Sequence, residues 1–242
     1  MVDIEVNGGV ARLFLARPEK SNALTSPFLK VIRETLEKLK SDTVLRAVVL
    51  AGRGKAFCGG ADVAELASLT PASGGAFVER IHDVCAAIRA LPVPVVAKLH
   101  GAVIGAGLEI AAACDLRIAA EGTKFAMPEV RLGIPSVVEA ALLPRLMGSG
   151  RAAWLVMSGE FIDARRALDW GLVEALGGDE AVETLVESLL AGDRAALALQ
   201  KRLCQLWDEA PLAQSITQSI QAFGQSLAGG NTISSRLGRK QN

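Results

Sequence analysis

The chain carries no excess charge of either sign: among its 242 residues, 26 lysines and arginines face 26 aspartates and glutamates, so the formal net charge at pH 7 is zero. Without a broad positive field there is no general attraction to nucleic acid or to an anionic membrane, and any anion must be caught locally. No lysine/arginine run occurs before the last few residues, which argues further against a nucleic-acid partner. The four cysteines, Cys58, Cys85, Cys114 and Cys204, stand far apart with no CxxC pair, so a reducing, cytoplasmic setting is expected. Only two histidines are present, and neither has a companion at metal-ligand spacing, so no metal is expected. His82, beside Glu79 and Asp83, reads as part of a solvated helix face; His100, before Gly101 at a strand end, leaves a structural or a supporting role open. No apolar run reaches the ~18 residues of a membrane span. The opening Met-Val-Asp-Ile-Glu lacks the basic and then apolar run of an export signal, so neither a membrane span nor export is expected.

Half of the residues are apolar, enough for a substantial core in one domain or one domain with an appendage. Residues 2–16 hold two short β-like runs around Asn7-Gly8-Gly9, a strong hairpin signal. Phe28, Leu29, Ile32, Leu36 and Leu39 recur at helical spacing over 26–40, with Pro27 suited to a first turn. A strand over 44–51, a glycine-containing turn at 52–60, a helix across 75–90 and a β-branched run at 93–99 follow. Then come a glycine-rich turn, an apolar helix near 105–113 and a strand at 114–119. This alternation predicts an α/β layer architecture. Helices are expected at 136–147, 149–157, 163–169 and 179–190, with β pieces near 124–126, 160–162 and 172–175. From 193 to 228 the pattern is helical only, which predicts a core over 1–192 and a helical C-terminal segment over 193–242 with no linker between them.

Glu109 lies in Gly105-Ala-Gly-Leu-Glu109, just before the apolar run 110–113. An ionised carboxylate in such surroundings costs several kcal/mol unless it is paired, hydrogen-bonded or protonated. A nearby arginine such as Arg117 is one candidate partner; a chemical task is the alternative. Gly105 and Gly107 would let unpaired backbone N–H groups at the helix start approach an acceptor, or would merely form a packing turn. A second amide source exists in Ala56-Phe-Cys-Gly-Gly-Ala-Asp62, again between a strand and a short helix. Asp62 is expected to cap the helix over 63–69, which leaves the Ala61 backbone available. In Met127-Pro128-Glu129 the proline fixes the direction of the loop, and Glu129 is either a surface carboxylate on a turn or a second acid.

In order and spacing these pieces resemble the crotonase (enoyl-CoA hydratase/isomerase) superfamily. The resemblance runs through most of residues 1–190. It includes Leu15-Ala-Arg-Pro-Glu-Lys-Ser-Asn-Ala-Leu24, Val48-Val-Leu-Ala-Gly52, Ala56 to Asp62, Pro94 to Gly101, Gly105 to Glu109, Ala113-Cys-Asp-Leu-Arg117, Phe125 to Val130, Leu132-Gly-Ile-Pro135 and Ala164 to Val173. It implies a spiral of repeated β-β-α units followed by helices that build a homotrimer or a dimer of trimers. It implies Glu109 and Glu129 as the acid/base pair and the amides of Ala61 and Ala106 as an oxyanion hole. Lys20, Ala23, Ala61, Asp62, Val63, Ala64 and Gly107 would lie along the CoA thioester. CoA is then part of the substrate, and no separate cofactor is expected.

The reaction so implied is reversible addition of water to a 2-trans-enoyl-CoA, giving a 3-hydroxyacyl-CoA. Glu109 would take the proton from water and Glu129 would supply one to the α-carbon, although coupled carboxylates titrate as a unit. The alternatives are a Δ3-Δ2 enoyl-CoA isomerase, which needs only one proton-moving carboxylate, and a non-catalytic CoA- or RNA-binding relative. Acyl specificity would depend on residues 66–76 and 130–140, where Val137, Val138 and Glu139 either line a pocket or start a helix. Cys58 reads as a small buried thiol, not a nucleophile. The C-terminus departs from the family: Ser226-Leu-Ala-Gly-Gly-Asn-Thr-Ile-Ser-Ser235 replaces the usual acidic and then basic end, and Gly229-Gly230 should interrupt a helix.

Overall fold

The computed structural model describes residues 2–228, so the Gly229-Gly230 expectation lies outside the described residues. The chain opens with the expected hairpin, β1 (Val2–Asn7) antiparallel to β2 (Val10–Leu15), closed by Gly8 and Gly9. Helix α1 (Ser26–Lys40) starts where the Thr25 side chain accepts from the Phe28 N–H at 3.3 Å, with Pro27 in its first turn. It buries the stripe Phe28, Leu29, Ile32, Leu36 and Leu39, each side chain worth about 1.5–3 kcal/mol.

After β3 (Ala47–Gly52) come α2 (Val63–Ser68) and α3 (Pro71–Arg89). Helix α3 begins earlier than its apolar spacing suggests. Thr70 and Ser73 satisfy each other's backbone in a capping box, and Pro71 fits the first turn, so Gly74 and Gly75 are carried inside the helix. Next are β4 (Val95–Leu99), β5 (Ala102–Ile104), α4 (Ala106–Ala113), β6 (Leu116–Ala119) and β7 (Lys124–Ala126).

The single helix expected over 136–147 is instead a 3-10 segment, Val138–Leu142, followed by the short α5 (Leu143–Met147). Val138, the first residue of that 3-10 segment, has φ of 40°, outside the right-handed α region, and Pro144 restarts the chain as α5. Then follow α6 (Ser149–Ser158), β8 (Ile162–Asp163), α7 (Ala164–Trp170), β9 (Ala175–Leu176) and α8 (Asp179–Ala191).

Two sheets organise the first unit. The larger runs β1-β2-β3-β4-β6-β9 and is parallel after the first hairpin, with Leu13 opposite Leu50, Val48 opposite Val95 and Val96 opposite Leu116. The smaller runs β5-β7-β8, and Cys58 extends it through a parallel bridge to Val103. The chain therefore visits the large sheet, crosses to the small one and returns by helix: β3 then Cys58, β4 then β5, β6 then β7. This is the spiral of β-β-α units. Residues at one parity, such as Leu13, Val48, Leu50 and Val95, join the main core. The other parity, Val10, Val49 and Ile118, packs against Val182 and Val186 of α8, where Arg12 also pairs with Glu183 at 2.6 Å.

The chain divides into two compact units between Leu190 and Ala191. The second contains α9 (Arg194–Glu209), capped by Asp193 accepting from the Ala196 N–H, and α10 (Leu212–Ala228). Among the described residues no helix is long and apolar enough to cross a membrane.

Candidate active site

The turn after β3 is built around a side chain that the sequence reading passed over. Asn22 is fully buried at φ 57°; its amide donates to the carbonyls of Arg53, Ala56 and Phe57 at 2.8–3.1 Å, and its Oδ1 accepts from the Arg17 N–H at 2.8 Å. The one available signal was the asparagine itself, a residue that tolerates left-handed backbone and satisfies loops. Asn22→Ala strands these buried groups and is expected to lower stability by about 2–4 kcal/mol, read from urea unfolding. An unchanged midpoint would remove Asn22 from this role.

Leu24 lies opposite Ala61 in a parallel bridge: its N–H donates to Gly60 O and its carbonyl accepts from the Asp62 N–H, both at 2.8 Å. The bridge uses the neighbours of Ala61, so the Ala61 N–H meets no acceptor among the described residues. The same holds for Ala106, the first residue of α4, at the positive end of that helix. The two turns approach closely: a Cβ built on Gly60, at φ 94°, would lie 2.8 Å from Ile104 O and 3.9 Å from the Ala106 nitrogen. Gly107 allows another contact, since its Cβ would fall 2.7 Å from Cys58 Cβ. Cys58 is buried, its Sγ donates to Asn22 O, and burial pushes its thiol up to about 12, so it remains protonated.

Glu109 is 4% exposed in α4, whose every residue is buried. Arg117 does not pair with it. That guanidinium goes to Leu172 O, Cys114 O and the Glu174 carboxylate. Glu109 Oε1 instead accepts from the Ala140 N–H at 3.2 Å. Burial first, then the neighbouring charges of Glu129 and Glu139, push its carboxyl up to about 8, against the opposing pull of that amide.

Glu129 opens a 3-10 turn, Glu129–Leu132, and its Oε2 accepts from Ser136 Oγ at 2.9 Å. Its other oxygen explains Gly105. A Cβ at that position would lie 2.3 Å from Glu129 Oε1, and φ there is 51°. The glycine read from sequence as a way for backbone to reach a ligand thus also clears room for the second carboxylate. Glu129 lies against the N-terminal cap of α4, and its charge reaches Glu109 in the first turn of that helix.

Residues 136–140 touch both acids, Ser136 on Glu129 and Ala140 on Glu109. Between them Val138 holds its left-handed φ, a strain of about 1–3 kcal/mol for a β-branched residue. Of the two expectations for Glu139, pocket lining or the start of a helix, the second holds: it lies in the first turn of the 3-10 segment, and it is buried there. Its side chain is 8% exposed and its Oε1 lies 2.8 Å from His82 Nδ1. His82 is half exposed, so the solvated face expected from its neighbours is only half of its environment; the other half is a buried carboxylate 57 positions away.

Of the remaining sequence candidates, Asp62 caps α2, accepting from the Ala64 and Glu65 N–H groups at 3.1 and 3.3 Å, and sits 3.5 Å from Arg17. Lys20 is exposed at the end of a 3-10 turn, and its carbonyl accepts from the Ala23 N–H. The Ser21 carbonyl accepts from Gly59, which lays residues 20–23 along 59–62. Val63 and Ala64 are exposed at the start of α2. Val63 contributes to an apolar groove of about 560 Å³ with Leu66, Leu69, Leu132, Ile134 and Val137.

The family model described as enoyl-CoA hydratase/isomerase matches residues 5–231. A Bacillus subtilis protein named "probable enoyl-CoA hydratase" is 38% identical over 182 residues, covering 74% of this chain and 70% of that one. The short-chain-enoyl-CoA hydratase of Clostridium acetobutylicum is 32% identical over 230 residues, covering 93% and 88%. Among solved structures, an enoyl-CoA hydratase of Mycobacterium smegmatis superposes with a TM-score of 0.91 at 31% identity, covering 94% of this chain and 91% of that one.

Proposed function

This chain belongs to the enoyl-CoA hydratase/isomerase family, and from that membership we propose that it adds water reversibly to a 2-trans-enoyl-CoA to give a 3-hydroxyacyl-CoA. The observation that carries the reading is the pair Glu109 and Glu129, held on separate donors across Gly105 beside two amides without internal acceptors. The amides of Ala61 and Ala106 would take the thioester oxygen as it gains charge. One such donor is worth about 2.7–4 kcal/mol in comparable sites. Residues Lys20, Ala23 and Asp62 to Ala64 would border the CoA, and the apolar groove would take the acyl chain, favouring a hydrocarbon over a charged acid. The single-file apolar face of α10, with Leu212, Ile216, Ile220 and Phe223 exposed, supports assembly into a trimer or a dimer of trimers.

The proton accounting follows from the site. With its carboxyl pushed up to about 8, Glu109 holds a proton at neutral pH in the free protein. In dehydration that proton goes to the departing hydroxyl while Glu129 accepts the α-proton. In hydration the same groups run backwards: Glu109 takes a proton from water and Glu129 returns one to the α-carbon. The pair thus shares one proton, and the resting state is the one that begins dehydration.

Purified protein is expected to lower the absorbance of conjugated 2-enoyl-CoA thioesters to an equilibrium value. Its kcat/KM should be sustained at neutral pH and fall about tenfold per pH unit above about 8, where Glu109 loses the shared proton. Unchanged enoyl-CoA of short, medium and long chain would overturn the proposal. So would faster formation of conjugation from a 3-enoyl-CoA, which would make the protein an isomerase.

A further inference from the structure

Glu139 has no task in the reaction just described, yet it is buried at the site. Its Oε1 is held by His82 Nδ1 at 2.8 Å, Oε2 is also buried, and the buried Cys85 thiol lies against the same carboxyl. A buried carboxylate held by one imidazole and one weak thiol donor is a poor way to fasten a loop, because a neutral or apolar side chain of similar size would avoid the desolvation. Its position is distinctive: it lies in the five-residue stretch whose ends donate to Glu129 through Ser136 and to Glu109 through Ala140.

We propose that Glu139 is a third acidic group of this site, a positioning residue that, held by His82 and seated next to the Ala140 amide that bonds Glu109, helps to keep the proton there. Two influences of opposite sign then reach Glu109 from neighbouring residues of one segment: the Ala140 N–H favours its ionised form and the Glu139 carboxylate disfavours it. The Cys85 thiol, from α3, registers the same field. It is pushed well above its ordinary value by burial, then by Glu139 and Glu109.

The groups around this cluster are few. Helix α3 supplies His82 and Cys85, α4 supplies Glu109, and the 3-10 turn after β7 supplies Glu129. Helix α5 supplies only Arg145, exposed and bonded to none of them. Among the described residues no arginine or lysine pairs with the three acids, and His82 is the basic side chain bonded to the group.

The consequence for catalysis rests on the hydration reading, but the test does not. Protein labelled with carbon-13 at the glutamate carboxyls is titrated by NMR, with Glu109 assigned by the resonance missing from Glu109→Gln. In Glu139→Gln, which keeps a side chain able to bond His82, the Glu109 midpoint is expected to move from about 8 to lower pH by roughly half a unit or more. A merely structural Glu139 would leave it in place, and an unmoved midpoint in the folded variant overturns the proposal. Should Glu139→Gln fail to fold, the wild-type curves decide: the Glu109 resonance must show an inflection shared with Glu139, and independent curves overturn the idea. If the midpoint moves while no enoyl-CoA is turned over, the hydration reading fails and the role of Glu139 stands.

Discussion

Glu109→Gln is expected to lose enoyl-CoA turnover by about 10²–10⁴-fold and, at pH 8, to resist unfolding better than the wild-type protein. The two effects have one cause. Glu109 titrates at 4.5 when free and at about 8 when folded, because α4 desolvates it and two other carboxylates face it. A raised carboxyl contributes stability that is complete below its unfolded value and is lost as pH rises through the folded one. Between pH 4.5 and pH 8 this loss amounts to at most about 3–5 kcal/mol. Glutamine carries no charge at any of these pH values, so the variant escapes the loss. The advantage should be nil near pH 4 and grow towards pH 8, staying under that bound because the amide N–H2 needs an acceptor where the carboxylate needed donors. Urea unfolding at pH 5 and pH 8 measures it. Parallel pH dependences for the two proteins would show that Glu109 does not carry a raised affinity for its proton.

Gly105→Ala is the second large effect, and it acts on the other acid. The new methyl group would stand 2.3 Å from Glu129 Oε1 at a backbone φ of 51°, so both the side chain and the start of α4 must shift. Misplacing a catalytic group by about 1 Å is enough for a 10²-fold loss, and kcat should fall at least that far while stability drops by about 1–3 kcal/mol. Gly148→Ala supplies the control. It imposes similar backbone strain, at φ 84°, with nothing within 4 Å of the added methyl. Both variants should melt earlier, and only Gly105→Ala should lose kcat. Equal losses of kcat would mean that strain, not the clash with Glu129, is responsible.

Local pattern made much of this legible. The Asn-Gly-Gly hairpin, the apolar stripe of α1 and the alternation of strands and helices each depend on residues close in sequence, and they appear where the spacing put them. Glu109 was conspicuous because a carboxylate interrupts an otherwise apolar helix, and its environment is as costly as that reading supposed. What escaped depends on distant partners. Strand β5 is three residues between glycine-rich flanks, and only Cys58 and β7 on either side make it a strand. Asn22 reads as one polar residue in a polar stretch until Arg53 to Phe57 fold over it. Glu139, after two valines, read as pocket lining or the beginning of a helix; it does open a 3-10 turn, but its burial against His82 left no trace in the local pattern. Its burial is set by α3, which begins more than sixty residues earlier, and by a valine in a conformation that sequence statistics disfavour.

The groups of the proposed site are spread over three rungs of the two-sheet coil. The amide turn at 56–62 hangs from the rung of β3, Ala106 and Glu109 from that of β4 and β5, and Glu129 from that of β6 and β7. The donors on the first two rungs are main chain and are indifferent to side-chain identity, whereas the acids on the second and third are single side chains. On the proposed reading, a lineage carrying this scaffold could trade one reaction for another by exchanging a side chain on the last rung, the main-chain donors and the ladder staying as they are.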